Sequence, residues 1–279
     1  MDHINICGAA KPRGSDKHLR RGEAAPQKIG FYMKKILILG GTGDAVKLAA
    51  SLANIREIEV ISSLAGRTKK PSILVGQVRI GGFGGAEGLA NYLQENAIDF
   101  LIDATHPCAG QISIHGAIAA KITNIPHLML VRPQWEKVSG DNWIEVESVA
   151  AAAQAIPETV SRVFITSGRQ QLEPFLLRSQ IYPETWYLMR SIDPPDLELP
   201  NSKVILDRGP FSLEQERALL RDDQIQAIVS KNSGGDATYA KIIAARELGI
   251  PIIMVQRPTI PEGEKVTSIA SAIAWLTNF

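Results

Sequence analysis

Aliphatic runs that end in glycine alternate with helically spaced apolar positions along most of the chain. The run KKILILGG at 34–41 has no polar residue between Ile36 and Leu39, which is typical of a strand buried on both faces. The following stretch, DAVKLAASLA, spaces its apolar side chains as an amphipathic helix does. Because this alternation recurs, it predicts βαβ units and a mostly parallel sheet.

The same criteria predict ten further strands and seven further helices. The strands are predicted within 58–66, 73–82, 100–105, 127–133, 143–148, 163–168, 185–192, 203–210, 225–231 and 250–258. The helices are predicted within 88–97, 111–124, 151–156, 172–177, 213–223, 238–249 and 268–279. The polar stretch 134–142 is interpreted as a connector between two α/β halves.

The two halves resemble each other. Residues 98–133 and 225–258 each contain a strand, a polar loop, a helix and a second strand, and Ile-Pro precedes the second strand in both. We therefore predict an α/β protein of two successive Rossmann-like lobes, 34–138 and 139–279, with a ligand cleft between them. Residues 1–33 have mixed charge and no apolar periodicity, and are interpreted as a disordered tail or an upstream-start artefact.

Composition narrows the range of partners. The net charge is +1, so there is no electrostatic reason to expect nucleic acid or an anionic membrane as a partner. No apolar run approaches the ~18 residues of a membrane span. Two cysteines, Cys7 and Cys108, do not make a disulfide framework, and a reducing, cytoplasmic location follows as the default. The oligomeric state stays open.

GGTGD at 40–44 is the first candidate ligand loop, because it ends a strand and opens a helix. Glycines let the backbone approach a pyrophosphate, and a helix N-terminus offers N–H donors. The spacing is not G-x-G-x-x-G, so a tight turn with Asp44 in the first helical turn is the alternative.

The end of the second strand bears on which nucleotide would bind. An NAD-preferring domain tends to place a carboxylate there, whereas this chain has Ser62, Ser63 and Arg67 and no acid. Arginine at this place accommodates a 2′-phosphate, so NADP is favoured over NAD if a nucleotide binds. A solvated basic loop is the alternative.

GGFGG at 81–85 follows the third predicted strand. Four glycines in five positions cost backbone entropy, and close approach to a cofactor would account for them. The alternative is a strained turn that Phe83 anchors.

DATHPCAG at 103–110 combines an acid, a hydroxyl, an imidazole and a thiol. No metal is expected, because the chain lacks Cys-x-x-Cys and His-Glu-x-x-His. A nucleophile is disfavoured because Pro107 separates His106 from Cys108 and no orienting partner is visible. A binding loop is favoured, in which Asp103 either caps the next helix or bonds backbone N–H groups, and Thr105 and His106 contact a ligand. A simple capped turn is the alternative.

Cations follow three predicted strands of the second half. Arg169, Arg208 and Lys231, together with the hydroxyl of Ser233, are candidates to bind an acidic, polycarboxylate substrate. A solvated rim is the alternative. KNSGG, which contains Lys231, is not a Walker A motif because the lysine precedes the glycines. It occupies the place in the second half that DATHPCAG occupies in the first, so the two loops are predicted to face each other.

Seven motifs in this order resemble the precorrin-6A reductase family of corrin (vitamin B12) biosynthesis. The motifs are ILGGTGDAVKLA, SLAGR, VRIGGFGGAEGL, DATHPCAGQIS, VRPQW, RGPF and KNSGGDATYAKIIAARELGIPIIMVQRP. The resemblance implies NADPH-dependent reduction of one C=C bond of precorrin-6A, or of its cobalt form, to precorrin-6B. It also implies that the first lobe binds NADPH and that the second contributes substrate contacts. Cys108 departs from the family pattern, where an aromatic residue is expected.

The resemblance also carries over a set of site residues. The nucleotide site corresponds to Gly40, Gly41, Thr42, Gly43 and Asp44, with Ser63 and Arg67 near the 2′-phosphate, and the two further loops correspond to Gly82, Gly84, Thr105 and His106. His106 is the first candidate proton donor, because imidazole titrates near neutral pH. Lys231, Tyr239 and bulk water are the other candidates. An oxidoreductase of a smaller substrate and a non-catalytic nucleotide- or tetrapyrrole-binding protein are the competing functions.

Overall fold

The computed structural model describes residues 33–66 and 74–279 as strands, helices and connecting loops. The predicted tail, residues 1–32, and Arg67 lie outside the described residues. The strands are β1 (Lys34–Leu39), β2 (Ile58–Leu64), β3 (Gln77–Ile80), β4 (Phe100–Asp103), β5 (His127–Leu130), β6 (Trp143–Val146), β7 (Arg162–Ile165), β8 (Trp186–Ser191), β9 (Ser202–Leu206), β10 (Ala227–Lys231), β11 (Ile252–Val255) and β12 (Glu264–Val266). The helices are α1 (Gly43–Leu52), α2 (Ala86–Glu95), α3 (Gly110–Thr123), α4 (Val149–Ala155), α5 (Glu173–Ile181), α6 (Leu213–Asp222), α7 (Ala240–Leu248) and α8 (Ile269–Leu276).

The strands form two sheets of the same size and the same topology. The first sheet has the order β12-β5-β4-β1-β2-β3 and the second has the order β6-β11-β10-β7-β8-β9. All recorded strand pairs are parallel. The predicted α/β class with two Rossmann-like lobes is therefore confirmed, and each strand of one sheet has a counterpart at the same place in the other.

One edge strand of each sheet is formed directly after the chain crosses over from the other sheet. After β5 the chain crosses to the second sheet and forms β6, which pairs with β11. After β11 it crosses back and forms β12, which pairs with β5. The structure departs here from the predicted division at 139–279, because residues 264–279 belong to the first lobe. The three-residue β12 carries too short a pattern for prediction from sequence.

The two exchanged units resemble each other in detail. Ser148 caps α4 by accepting the N–H of Ala151, and Ser268 caps α8 by accepting the N–H of Ser271. α4 packs in the core beside β7, whereas α8 packs beside β1 and contacts α1. Each lobe is therefore completed by an equivalent strand and helix, and in each case these two elements follow a crossover from the other lobe.

Both faces of each sheet are covered by helices, which explains the continuous aliphatic runs. In the first lobe α1 and α8 cover one face, where Ile36, Ile38 and Leu48 are fully buried. The other face packs against α2 and α3 through Leu37 and Leu101. Because parallel strands end at the same edge, the loops that follow β1, β4 and β10 gather at the carboxyl ends of the two sheets.

Candidate functional site

The loop after β1 is built around a buried threonine. The hydroxyl of Thr42 accepts the N–H of Ala45 at 3.1 Å and donates to the carbonyl of Ala104 at 2.7 Å. Thr42 is thus the N-cap of α1 and joins this loop to the one after β4. Its side chain is used within the protein, so a ligand at this loop would meet its backbone and the glycines beside it.

The glycine loop after β3, residues 81–85, is accessible to a ligand, and hydrogen bonds from an arginine fix its conformation. A Cβ at Gly82 or Gly84 would have no heavy atom within 4 Å. Arg79 donates to the carbonyls of Gly81 and Gly82 at 2.6 and 2.7 Å, and its guanidinium lies 3.7 Å from the ring centroid of Phe83. The loop conformation is therefore fixed by Arg79, and its glycines leave the backbone accessible to a ligand.

Ser63, at the end of β2, lies beside the first glycine loop. Its carbonyl accepts the N–H of Gly40 at 2.9 Å, and the residue is buried. Arg79 approaches its hydroxyl at 3.5 Å. Ser63 therefore lies at the carboxyl end of β2 beside the loop after β1, and its assignment to the 2′-phosphate of a nucleotide stays a prediction.

The loop after β4 is ordered by its own aspartate. Asp103 Oδ1 accepts the backbone N–H of Thr105 at 2.9 Å and its hydroxyl at 2.6 Å. The predicted bonding of Asp103 to backbone N–H groups is therefore confirmed. His106 Nδ1 accepts the N–H of Cys108 at 3.1 Å, so a neutral imidazole carries its proton on Nε2.

The loops after β4 and β10 meet, as predicted. His106 Nε2 lies 3.1 Å from Ser233 Oγ. The buried Asn232 accepts the backbone N–H of Trp135 at 2.8 Å and donates to its carbonyl at 3.0 Å. A Cβ at Gly234 would lie 2.0 Å from the carbonyl oxygen of Pro133, so only glycine permits this approach. The second lobe's loop is thus fixed against the crossover that follows β5.

Burial and neighbouring cations keep the imidazole of His106 neutral. Burial is the largest cause of a fall in the pKa of His106 from 6.5 to about 4, and the charges of Arg132, Lys231 and Arg257 contribute to the same fall. Burial also raises the pKa of the Cys108 thiol, although Lys231, Arg257 and Arg132 oppose the rise. A neutral imidazole and a protonated thiol are suited to binding a ligand rather than to nucleophilic attack.

The three predicted cations of the second lobe have different surroundings. Lys231 is close enough to His106 to act on its pKa. Arg169 instead donates to both carboxylate oxygens of Asp196 at 2.7 and 2.8 Å, and its charge is neutralised within its own lobe. Arg208 follows β9, and its backbone N–H donates to Asp207. The structure thus brings Lys231 and Ser233 to His106.

The sequence matches the model of the family described as precorrin-6x reductase CbiJ/CobK over residues 35–277. The chain belongs to this family. A precorrin-6A reductase from Rhodococcus erythropolis is 47% identical over 246 residues, which cover 88% of this chain and 98% of that protein. A precorrin-6A reductase from Mycobacterium tuberculosis is 42% identical over 249 residues, covering 88% of this chain and 98% of that protein.

A solved structure of CobK precorrin-6A reductase has the same fold. It superposes with a TM-score of 0.81 at 38% sequence identity, and the match covers 88% of this chain and 97% of that chain. A cobalt-precorrin-6A reductase from Priestia megaterium is more distant, at 28% identity over 255 residues, covering 87% of this chain and 98% of that protein. The family assignment thus rests on sequence and on fold together.

Sequence reasoning missed two arginines of this CbiJ/CobK family member. Arg257 donates to the carbonyls of Asn232, Arg132, Pro133 and Ser233 at 2.8 to 3.1 Å and holds the two crossovers together. Arg132 lies 3.4 Å from the carboxylate of Asp44. A signal was present, because an Arg-Pro pair ends each of the two similar segments, 98–133 and 225–258.

Sequence reasoning also missed a buried ionic cluster in the second lobe. Arg190 pairs with Glu216 at 2.5 and 3.1 Å, and both side chains are buried. Lys241 lies 4.7 Å from the ring centroid of Trp135 and donates to the carbonyl of Thr238. No local sequence pattern predicts this cluster, because Arg190, Glu216 and Lys241 lie in β8, α6 and α7, which are far apart in the sequence.

Two further features bear on the class of protein. Within residues 33–66 and 74–279, no three or more His, Cys, Asp or Glu side chains are grouped so that they could hold a metal ion. Over the same described ranges, no helix has the length and apolar character needed to cross a membrane.

Proposed function

We propose that the protein reduces one C=C bond of the precorrin-6A macrocycle to give precorrin-6B, with NADPH as the hydride donor. The observation that supports this most directly is the full-length likeness to proteins named precorrin-6A reductase at up to 47% identity. Relatives named cobalt-precorrin-6A reductase share 28 to 30% identity, so the metal-free macrocycle is the proposed substrate.

The first lobe has the features that a dinucleotide site requires. A Cβ at Gly41, Gly43 or Gly84 would have no heavy atom within 4 Å, so the backbone of both glycine loops is accessible. We assign the coenzyme to Gly40, Gly41, Thr42, Gly43, Asp44, Ser63, Gly82, Gly84 and Thr105, with Arg67 at the 2′-phosphate. The lack of a carboxylate at the end of β2 favours NADPH over NADH.

The second lobe supplies polar contacts for the acetate and propionate groups of the macrocycle. Lys231 and Ser233 are the proposed contacts nearest the coenzyme, since they adjoin His106. Arg208 is proposed to contact a more distant carboxylate. Arg169 is proposed with them, although it would have to exchange Asp196 for a substrate carboxylate.

NADPH, when bound, supplies the hydride, and the protein orients the macrocycle toward it. With its pKa at about 4, His106 is neutral at neutral pH, so its imidazolium is not available as the proton donor predicted from sequence. Its Nε2–H instead faces Ser233 Oγ at 3.1 Å and holds that hydroxyl as a contact for a bound group. Lys231 and Tyr239 are then the remaining protein candidates, and solvent is the alternative source of the proton.

The decisive experiment measures oxidation of NADPH on addition of precorrin-6A under anaerobic conditions, with NADH as the comparison. We expect reduction of the macrocycle with a clear preference for NADPH. Tight binding of both ligands without oxidation would make the protein a binder rather than an enzyme. Oxidation with a small substrate but not with precorrin-6A would also contradict the proposal.

A pair of glycine variants tests the coenzyme site. Gly41 and Gly249 both have positive φ, +108° and +67°, and a Cβ at either meets no atom within 4 Å. Gly41→Ala and Gly249→Ala both place a Cβ at positive φ, with the smaller strain at Gly249 because its φ lies in the left-handed helical region, and only Gly41 lies in the glycine loop. The thermal unfolding midpoint of each variant reports this strain separately from NADPH binding. We expect Gly41→Ala alone to weaken NADPH binding, and equal effects of both would argue against this site.

A further inference from the structure

Arg132 lies between the glycine loops of the two lobes. It follows β5 in the first crossover, and its Nε is 3.4 Å from Oδ2 of Asp44, in the first turn of α1. Its side chain is partly exposed, at 22%. One face of this arginine thus adjoins the loop that precedes α1, at the carboxyl edge of the first sheet.

The second lobe's glycine loop adjoins the other side of Arg132. A Cβ at Gly235 would lie 3.2 Å from Cδ and 3.5 Å from Nη1 of Arg132. Gly235 also has φ +72°, a conformation that favours glycine. The absence of a side chain at this position therefore leaves space for the arginine, which reaches both candidate ligand loops at once.

Arg132 differs from its neighbouring cations in how its N–H groups are used. Those of Arg257 go to four backbone carbonyls. In the described part of the chain, the side chain of Arg132 has one recorded polar contact, through Nε to Asp44. Within the described residues, the two Nη groups of Arg132 have no hydrogen-bond acceptor. These two groups form the planar fork with which a guanidinium binds an oxyanion in bidentate fashion.

The local charge favours an anion at this position. Arg132, Lys231 and Arg257 all act on His106, and the same three act on Cys108. Asp44 is the carboxylate paired with this group of cations, and it contacts Nε rather than the terminal fork. An incoming phosphate or carboxylate can therefore bind without displacing Asp44.

We propose that Arg132 binds an oxyanion of a ligand held between the lobes, and that Asp44 positions its guanidinium. The inference rests on the proposed function for the source of the oxyanion, which is either a phosphate of NADPH or a carboxylate of the macrocycle. Both are recognised by the same bidentate chemistry, and the experiment distinguishes them.

The experiment compares Arg132→Gln and Arg132→Lys with the wild-type chain and with Arg217→Gln. Arg217 pairs with Glu247 at similar exposure, 34% and 39%, and lies on α6, so its variant is the matched control. The Kd of NADPH is measured without substrate, and KM and kcat for precorrin-6A are measured at saturating NADPH. Thermal unfolding of each variant with inorganic pyrophosphate and with citrate gives a readout that does not depend on catalysis.

We expect Arg132→Gln to raise the Kd of NADPH or the KM for precorrin-6A by about tenfold or more. Arg132→Lys should recover only part of the loss, because an ammonium lacks the planar fork. A rise in Kd alone assigns the phosphate, and a rise in KM alone assigns the carboxylate. Pyrophosphate or citrate should stabilise the wild type and Arg217→Gln more than Arg132→Gln.

Two results would overturn the inference. One is an active wild type whose Kd and KM are both unchanged in Arg132→Gln. The other is equal stabilisation of wild type and Arg132→Gln by both anions. An inactive wild type that binds neither NADPH nor precorrin-6A, but whose stabilisation by anions requires Arg132, would contradict the proposed function and leave the oxyanion site supported.

Discussion

Arg132 and Arg257 occupy the same place in the two repeats, yet the structure uses them differently. Both precede a proline in the crossover that follows the last internal strand of their repeat. Arg257 donates to four backbone carbonyls, whereas Arg132 contacts one carboxylate and remains partly exposed. The two repeats therefore carry equivalent cations at the junction, and their surroundings make one a structural clamp and the other a candidate ligand contact.

The lobes differ again beneath their loops. In the first lobe the loop after β1 is joined to the loop after β4 by the hydroxyl of Thr42, and Arg79 and Asp103 bond to the loops that they adjoin rather than to each other. In the second lobe Arg190, Glu216 and Lys241 are buried below the loops after β9 and β10. The stability of the second lobe should therefore depend on charge and pH far more than that of the first.

Breaking the buried pair should have the largest effect. Arg190→Met leaves the carboxylate of Glu216, which is 0% exposed, without its partner. We expect a loss of about 3–5 kcal/mol in the free energy of unfolding, measured by urea titration. Arg132→Met, which breaks a partly exposed pair, should cost about 1 kcal/mol or less.

A double variant serves as the control for that prediction. Arg190→Met combined with Glu216→Leu removes both charges and should recover much of the stability, because no unpaired carboxylate remains. Similar losses for Arg190→Met and Arg132→Met would show that the two pairs are equivalent, and would remove the contrast between buried and junction charges.

Lys241 should make the second lobe sensitive to pH. Burial and the charge of Arg190 lower its pKa from 10.5 to about 7. Between these values the unfolded chain binds a proton that the folded chain does not, so stability falls as pH falls from 10.5 toward 7. Lys241→Met removes this dependence. The free energy of unfolding of Lys241→Met, relative to that of the wild type, should therefore rise by about 1.4 kcal/mol for each unit that the pH falls within the window.

Unfolding titrations across that pH window check the prediction, with Lys47→Met as the control because Lys47 is exposed on α1. Parallel stability curves for wild type and Lys241→Met would mean that the Lys241 amine is protonated in the folded state throughout the window. The first lobe, which has no counterpart of this lysine in its buried polar set, gives the baseline.

The two crossover arginines can be compared directly. Arg257→Met removes donors to the carbonyls of Asn232 and Arg132 and to those of Pro133 and Ser233. We expect it to cost about 2–4 kcal/mol by urea titration, because hydrogen bonds from a charged donor are among the stronger ones. A cost no greater than that of Arg132→Met would contradict the clamp.

A further pH effect is expected at the acid limb of stability. The pKa of His106 is lowered from 6.5 to about 4, so the unfolded chain binds a proton first and stability is lost as pH falls through this range. His106→Gln should flatten the limb relative to the wild type. An unaltered acid limb in His106→Gln would show that the imidazole is already charged in the folded protein.

Local sequence patterns were sufficient to predict most of the strands and helices and most of the candidate ligand loops. Aliphatic runs identified the long strands because strands covered on both faces bury every side chain. The glycines after β1 and β3 identified the open loops, and Asp103 was expected to bond the backbone next to it, which it does. These features depend on neighbours within a few residues, and a sequence displays such neighbours directly.

What only the tertiary structure decided concerns groups that are distant along the chain. The sequence placed β12 and α8 in the second half, but pairing with β5 puts them in the first lobe. Imidazole chemistry suggested an acid at His106, but burial beside Arg132 and Lys231 makes it neutral. The Arg-Pro repeat is visible in the sequence, yet only packing shows that Arg257 meets carbonyls and Arg132 meets Asp44. Electrostatic interactions, desolvation and strand pairing depend on which residues are close in space. They therefore cannot be predicted from neighbouring positions in the sequence.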